Sequence, residues 1–366
     1  MNLSVVIVSS PIPSHPDTFI IDSVIDSLNL IDGLERVNIV IILDGYVIND
    51  KVQTKKGKIT TDMKLCYDEY YEKLKDKYCF PNFLIEKCEN HLGFALAVKH
   101  GLALCRTDYA LILQHDRKFV RRFSGISSLM ECMEIHDHIR YIHFPTIMSS
   151  KHTSLLQRYG LHPLTNAELA YIPVSDECEL RPLIFWYDSN HLCNIRRYMA
   201  IFSPYKSMPK SIRDIVNGTD NESLRKMLLK RGDFIEDKFG QVQRNVLVSL
   251  RGMQPDLMAV FRWFGSYFLW LENEAVGTPC AVDSFTNDMV ELGDDVCPTG
   301  DGSLLPPPSA VYGDTVDNLY TTEDIAHSLP VSQTQSGPSC VMVAHLRGRH
   351  FDPSYLTHYD TSVTPH

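Results

Sequence analysis

Three short polar segments follow apolar runs in the first third of the chain and could together bind a charged ligand. They are Ser9-Ser10-Pro11, Asp44-Gly45 and Gln114-His115-Asp116. A carboxylate at the end of a strand can accept hydrogen bonds from a base or a ribose. A second carboxylate nearby can hold Mg²⁺ or Mn²⁺ on a diphosphate, because these hard cations prefer carboxylate oxygen. Each segment alone also fits a structural role, since Asp-Gly is a common turn dipeptide. All three in this order favour a nucleotide site.

The elements around these segments predict how they come together. Apolar runs rich in β-branched residues predict strands, and stretches of helical periodicity separate them. The predicted strands are Leu3–Ser9, Val37–Leu43, Phe83–Glu86 and Tyr109–Leu113; the predicted helices are Ile20–Leu28, 51–78 and Leu92–Leu104. This alternation predicts an α/β fold with a parallel sheet and crossover helices, in which ligands bind at the carboxyl ends of the strands.

The rest of the chain is less regular. Tyr141–Phe144 and Leu183–Tyr187 are strand-like, and 211–231 predicts one or two helices. The aromatic stretch 255–272 is interpreted as a core strand or helix, with stacking on a sugar as the alternative for one or two rings. Gly, Pro, Ser, Thr and Asp dominate 276–339, a composition that indicates a low-order insertion or lid. A strand is predicted again over Cys340–His345.

The overall composition narrows the class of protein. The chain has 366 residues, 44% of them hydrophobic and 22% charged, with a net charge of −10, and this profile is typical of a soluble globular protein. The acidic balance does not favour binding to a phosphate backbone. Apolar runs are far shorter than the roughly 20 residues that cross a bilayer, and the N-terminus does not resemble a signal peptide. We therefore expect a cytoplasmic or nuclear protein whose ten cysteines are reduced thiols.

The first 120 residues resemble the nucleotide-sugar half of GT-A-fold glycosyltransferases, close to glycosyltransferase family 2. The resemblance rests on four ordered segments: SVVIVSSPIP, NIVIILDG, NHLGFALAVKHGL and LILQHD. Two departures from the family pattern are Gln114, where the first acid of a DXD motif usually stands, and Val98-Lys99, which replaces a frequent Arg-Asn pair. The resemblance implies a GT-A fold, with a Rossmann-like, mostly parallel central sheet flanked by helices.

The resemblance also implies roles for residues of the first half. Asp44 would contact the nucleotide, and Asp116 would bind Mn²⁺ or Mg²⁺. Gln114 can hydrogen-bond a ribose but adds no charge. The implied donor-binding residues are Ser9, Pro11, Asp44, Gly93, Lys99, Gln114 and His115.

Two later segments resemble the acceptor and metal motifs of such enzymes. Glu236-Asp237, in GDFIEDKFG, looks like the Glu-Asp motif of the family. An inverting transferase needs one base opposite the leaving diphosphate, and Asp237 is the candidate, with Glu236 positioning the acceptor or exchanging roles with it. In HLRGRH, His345 would complete the metal site, and Arg347 and Arg349 would neutralise the diphosphate. The structural alternatives are a charged surface turn and a solvated basic turn.

These observations predict an inverting, metal-assisted glycosyltransferase that moves a sugar from a nucleoside-diphosphate sugar, best a UDP-sugar, to a hydroxyl acceptor. The acceptor could be a protein, a small metabolite or a nucleic-acid base. Two alternatives are a sugar-nucleotide pyrophosphorylase, whose Gly-rich basic loop is missing from SSPIPSHPD, and a non-catalytic nucleotide-sugar-binding module. The predicted divisions are 1–125 for the donor, 126–275 for the acceptor and catalysis, 276–339 for the insertion and 340–366 for a strand and tail that complete the site.

Overall fold

The computed structural model describes residues 2–51, 57–146, 152–176, 178–219, 222–271 and 343–345. The strands are β1 (Leu3–Ser9), β2 (Asn38–Leu43), β3 (Val47–Ile48), β4 (Lys58–Ile59), β5 (Phe83–Lys87), β6 (Tyr109–Gln114), β7 (Arg117–Phe119), β8 (Tyr141–His143), β9 (Ile172–Ser175), β10 (Cys178–Pro182), β11 (His191–Asn194), β12 (Ser266–Leu271) and β13 (Val343–His345).

The α-helices among these residues are α1 (Phe19–Ser27), α2 (Thr61–Lys77), α3 (Phe94–Leu104), α4 (Ile126–Ile135), α5 (His152–Arg158), α6 (Ala167–Ala170), α7 (Ile195–Met199), α8 (Pro204–Ser207), α9 (Lys210–Thr219), α10 (Ser223–Lys226), α11 (Gln241–Ser249) and α12 (Gln254–Phe264). Short 3₁₀ helices cover Leu28–Leu30, His162–Thr165 and Ala200–Phe202, and one turn of π-helix covers Glu236–Gly240.

A nine-stranded sheet forms the centre of the fold, in the order β5-β2-β1-β6-β11-β8-β12-β10-β9. The first four strands are parallel, as the alternation of strand and helix predicted. Of the remaining strands, β11 and β10 pair antiparallel with both of their neighbours, while β8 and β12 pair parallel with each other. Only β10 and β11 therefore run against the common direction of this sheet, and the predicted α/β architecture with a mostly parallel sheet is confirmed.

Close packing holds the parallel half together. Every residue of β1 is buried, which explains its unbroken apolar sequence, because crossover helices cover both faces of a parallel sheet. Helix α3 lies close against this sheet at Gly101, where a Cβ atom would come within 2.5 Å of Val6 Cγ1. The absence of a side chain at Gly101 therefore lets α3 lie this close to β1.

The prediction of a strand over Leu183–Tyr187 is wrong. The segment is buried, but it follows β10 as an irregular chain without a strand of its own. Side chains take over part of its backbone hydrogen bonding: Ile184 N donates to His152 Nε2 at 3.1 Å, and the carbonyl oxygen of Leu183 accepts from Gln243 Nε2 at 2.9 Å. Its apolar sequence thus reflects burial rather than sheet pairing, and buried backbone stays hydrogen-bonded by other means.

The aromatic stretch near the end of the sheet is core, as expected. It forms α12 and β12, and Trp263, Phe264, Tyr267 and Phe268 are all buried. The predicted final strand appears as β13, which pairs antiparallel with β7. The predicted insertion 276–339 and the candidate residues Arg347 and Arg349 lie outside the described residues.

Two further findings concern the described part of the chain. None of its helices is long and apolar enough to cross a bilayer. The seven cysteines it contains are free thiols: Cys66, Cys79, Cys88, Cys105, Cys132, Cys178 and Cys193.

Candidate functional site

The polar segments after β1, β2 and β6 lie side by side at one edge of the sheet. Parallel pairing places Ser9 beside Leu43 and Val8 beside Gln114. Just beyond the strands, Asp44 N donates to the carbonyl oxygen of Ser9 at 2.8 Å, and His115 N donates to that of Val8 at 3.0 Å. The three segments selected from the sequence are therefore neighbours.

This edge contains buried polar atoms that lack protein partners. The His115 side chain is 7% exposed, and its Nε2 has no hydrogen-bond partner. Ser14 Oγ is likewise buried without a partner, whereas Ser9 Oγ lies beside the Tyr70 hydroxyl. Because buried polar groups are normally hydrogen-bonded, such atoms indicate room for water or a polar ligand. The Pro-rich loop that begins at Pro11 supplies Ser14 to this group.

The same loop places an imidazole against two tyrosines. The His15 ring stacks on Tyr70, with centroids 4.0 Å apart, and on Tyr67 at 5.1 Å. Its Nδ1 accepts a hydrogen bond from Ile12 N. Burial, assisted by the nearby His115, lowers the pKa of His15 to about 3, so that His15 is neutral at physiological pH.

The carboxylate of Asp44 is used inside the protein. Its Oδ1 accepts from Leu92 N at 2.6 Å, and its Oδ2 accepts from Gly93 N at 3.0 Å and lies 2.8 Å from His91 Nδ1. The hydrogen bond to Asp44 raises the pKa of His91. Asp44 thus fixes the turn that leads into α3, and its predicted nucleotide contact stays a prediction.

The turn before α3 also contacts a loop that is distant in sequence. Gly232 N donates to the carbonyl oxygen of Leu92 at 2.8 Å, and Ala95 N donates to that of Asp233 at 3.2 Å. Gly93 has φ +77°, and a Cβ atom there would lie 2.5 Å from the Cα atom of Gly232. The contact therefore needs glycine at position 93, and it joins the predicted donor segment to the loop that leads into Glu236-Asp237.

The candidate Lys99 lies away from these contacts, on an exposed part of α3. Its Nζ is 5.5 Å from the ring centroid of Phe202. Its predicted role in donor binding stays a prediction.

Glu236 and Asp237 begin the π-helical turn, and a third carboxyl group lies beneath them. Ile235 N donates to Asp188 Oδ1 at 3.2 Å, and the N–H of Glu236 also donates to the Asp188 carboxylate. In return, the N–H of Asp188 donates to the Glu236 carboxylate. Asp188 is buried, Glu236 is partly buried and Asp237 is exposed.

Burial shifts the titration of both Asp188 and Glu236. Burial raises the pKa of Glu236 to about 7, with a further contribution from the negative charge of Asp237 and an opposing one from Arg117. Burial and the charge of Glu236 raise the pKa of Asp188 above its usual range. Two like charges this close disfavour each other, so the pair tends to hold a proton near neutral pH.

Arg117 is a site residue that the sequence analysis missed. Its side chain is partly buried, and Asp116, Glu236 and Asp188 stabilise its charge. Its Nε donates to Gln114 Oε1 at 3.3 Å, and its carbonyl oxygen accepts from Asn190 Nδ2 at 2.9 Å. Its position directly after the QHD segment is the one sequence signal that could have indicated it.

Of the two predicted metal ligands, Asp116 and His345, the structure describes the side chain of Asp116 alone. Within the described residues, no three His, Cys, Asp or Glu side chains cluster as metal ligands. Beside Asp116 lies the Arg117 cation, and the oxygen of Gln114 already accepts a hydrogen bond from that cation. One carboxylate next to a guanidinium does not fit a hard divalent ion, which prefers several oxygen ligands. For His345 the backbone alone is described, and it lies opposite Arg117 in the β13–β7 pair.

Comparisons with known proteins give the following likenesses. No protein-family model matches the chain, and no curated protein does. Among solved structures, S. aureus TarS 1-349 in complex with UDP matches at 12% identity and a TM-score of 0.33, over 70% of each chain. S. aureus TarS 1-349 in complex with UDP-GlcNAc matches at 16% identity and a TM-score of 0.26, over 40% of this chain and 34% of that chain. The chain thus covers about a third of the length of the latter.

Proposed function

We propose that this protein is an inverting glycosyltransferase that takes its sugar from a nucleoside diphosphate, best UDP, and transfers it to a hydroxyl acceptor. The observation that carries the proposal is the contact between Leu92-Gly93 and Gly232-Asp233. Through it, the strand ends predicted to bind the donor and the carboxylates predicted to activate the acceptor adjoin each other. A donor sugar bound at the sheet edge would then lie within reach of Glu236.

The donor half of the proposal rests on the unpartnered polar atoms. His115 Nε2, at the end of β6, and Ser14 Oγ, in the loop after β1, are buried without partners, and a nucleotide would supply hydrogen bonds there. Gln114 would hydrogen-bond the ribose. Asp44 would act indirectly, by holding the 91–93 turn in place.

For the base we propose Glu236, the second of the two carboxylates considered from the sequence. A general base works best when its pKa lies near the working pH, and burial raises the pKa of Glu236 to about 7. In transfer, Glu236 takes the proton of the acceptor hydroxyl, and the oxygen attacks the anomeric carbon. The bond from that carbon to the diphosphate oxygen breaks, and the electron pair leaves with the diphosphate. Attack opposite the leaving group inverts the configuration.

The divalent cation stays a prediction, and no chemical step is derived through it. Asp116→Ala compared with wild type, each with Mn²⁺ and with chelator, tests it by UDP binding in calorimetry. If Asp116 binds the metal, Mn²⁺ should increase the affinity of wild type for UDP but not that of Asp116→Ala.

The function itself is tested with UDP and a panel of nucleotide sugars. UDP-GlcNAc and UDP are the first ligands to use, and hydrolysis detects turnover without knowledge of the acceptor, because water can replace it. We expect UDP binding and UDP release, with a sugar product of inverted configuration in early proton NMR spectra. Retained configuration would contradict the mechanism, pyrophosphate made from a nucleoside triphosphate would indicate a pyrophosphorylase, and binding without turnover would indicate a binding module.

A further inference from the structure

The buried carboxyl group of Asp188 takes no part in the proposed reaction. It lies in the segment between β10 and β11 and is 6% exposed. It is 47 residues from the backbone N–H that it binds. A charged group this deep is costly unless it is paired or hydrogen-bonded, so its surroundings should explain why it is there.

The contacts of Asp188 point to the start of the π-helical turn. Its carboxylate accepts the N–H groups of Ile235 and Glu236, which begin that turn and are not bonded within a preceding helix. The Asp188 N–H donates back to the Glu236 carboxylate. Each residue thus uses both its backbone and its side chain to hold the other, as in a capping box built from two distant segments.

The wall around this pair is formed by groups from several elements. Arg117 of β7 is the cation facing it, and Asp237 is the further acid. The phenols of Tyr141, Tyr187 and Tyr198 also face one or both carboxylates. One guanidinium therefore balances two buried acids, and the phenols bring no charge at neutral pH.

We propose that Asp188 is a positioning residue for the base: it fixes the backbone and the side-chain direction of Glu236. The inference rests on the proposed function, in which Glu236 activates the acceptor. It deepens that function by assigning to Asp188 the task of holding the base in position. Burial and the charge of Glu236 both favour the protonated form of Asp188, so the Asp188 carboxyl stays neutral while Glu236 ionises.

The pair can be tested without any substrate. Protein labelled with ¹³C at the side-chain carboxyls of Asp and Glu is titrated by NMR as wild type, Asp188→Asn and Glu236→Gln. Asparagine keeps an oxygen for the N–H of Ile235 but removes the charge. Because the Asp188 carboxyl is still protonated where Glu236 ionises, we expect the Glu236 midpoint to stay in place in Asp188→Asn. The Asp188 midpoint should fall in Glu236→Gln, where the neighbouring negative charge is removed. Asp214→Asn, on the exposed side of α9, is the matched charge control and should leave both midpoints in place.

The same variants are then compared in UDP-GlcNAc hydrolysis. Asp188→Asn keeps the acceptor oxygen, so it should retain most of the rate that Asp188→Ala loses, and the pH midpoint of its rate should match the NMR midpoint of Glu236. In Asp188→Ala, which loses the acceptor as well, the rate should fall about 100-fold with UDP affinity unchanged. A wild-type rate in Asp188→Ala, or an Asp188 midpoint that is the same in wild type and Glu236→Gln, would overturn the inference. If the Asp188 midpoint moves as expected but wild type neither binds UDP nor hydrolyses the sugar nucleotide, the proposed function fails and the coupling of the two carboxyls is supported.

Discussion

At the scale of single residues, the two adjacent acids Glu236 and Asp237 differ in their surroundings. Glu236 faces inward to Asp188 and Arg117, whereas Asp237 is exposed on the next position of the turn. Burial makes the Glu236 carboxylate a stronger base than an ordinary glutamate, because its charged form is less well solvated. Sequence alone favoured Asp237, since neighbouring residues look equivalent until their burial is known.

This difference predicts the effects of removing each acid. Glu236→Gln should lower transfer about 10²- to 10⁴-fold, the usual contribution of a positioned general base, with UDP affinity unchanged. Asp237→Asn should lower it less. In wild type the rate should rise with pH until the base is deprotonated, at about pH 7. Steady-state rates of sugar-nucleotide hydrolysis between pH 5 and 9 check both. A larger loss of rate in Asp237→Asn than in Glu236→Gln would identify Asp237 as the base.

The same burial predicts a cost in stability. The folded state holds a proton on Glu236 up to about pH 7, whereas the unfolded chain loses it near 4.5. The stability of wild type should therefore fall as pH rises through this window, by about 1–3 kcal/mol in all. Glu236→Gln carries no such charge, so it should match wild type at pH 4 and be more stable by that amount at pH 8. Urea unfolding at the two pH values measures this. Equal stability at pH 8 would mean that Glu236 ionises without cost.

At the scale of elements, the contact between two loops positions the site. The turn before α3 is held from below by Asp44 and from the side by Gly232-Asp233. Neither contact leaves a mark in sequence beyond the glycines, because glycine also serves ordinary turns. The alternation of strands and helices was predictable from local periodicity, whereas Leu183–Tyr187 was misassigned because apolar composition reports burial and not hydrogen-bonding partners.

Gly93 allows this contact to be tested. Gly93→Ala introduces a methyl group 2.5 Å from Gly232 at a positive φ, so the two loops must separate. Gly160→Ala is the matched control, since Gly160 also has positive φ, at +69°, but nothing lies within 4 Å of its Cβ position. Each should lose about 1–2 kcal/mol to backbone strain. Thermal unfolding should show a larger loss for Gly93→Ala, and UDP binding or hydrolysis should fall in it alone. Equal effects of the two variants would deny the contact a functional role.

At the scale of the whole molecule, the site combines parts of the chain that are far apart in sequence. The parallel pairing of β1, β2, β5 and β6 could be predicted from the sequence, because strands joined by crossover helices run parallel. The pairing of the antiparallel strands β10 and β11 could not be predicted. The positions of Asp188 and Asn190, which lie between these strands, and the hydrogen bond from Asn190 to Arg117 were therefore not predictable either. Long-range register depends on packing that no local pattern encodes. The pairing of β13 with β7 is likewise a contact between distant parts of the chain, and it brings His345 opposite Arg117.

Two truncated chains can separate the effect of β13 from the effect of the basic residues that follow it. A chain ending at His345 keeps β13 and lacks Arg347 and Arg349, whereas a chain ending at residue 342 lacks β13 as well. If the two arginines bind the diphosphate, the first truncation should weaken UDP binding about 10- to 100-fold, as expected for the loss of charge-assisted hydrogen bonds. The double variant Arg347→Ala/Arg349→Ala in the full chain should reproduce this loss, with an unchanged unfolding temperature, and its remaining affinity should depend less on salt. Calorimetry with UDP at two salt concentrations measures all three proteins. Wild-type affinity in the chain ending at His345 would exclude the arginines from the donor site, and a loss confined to the shorter chain would assign the effect to β13.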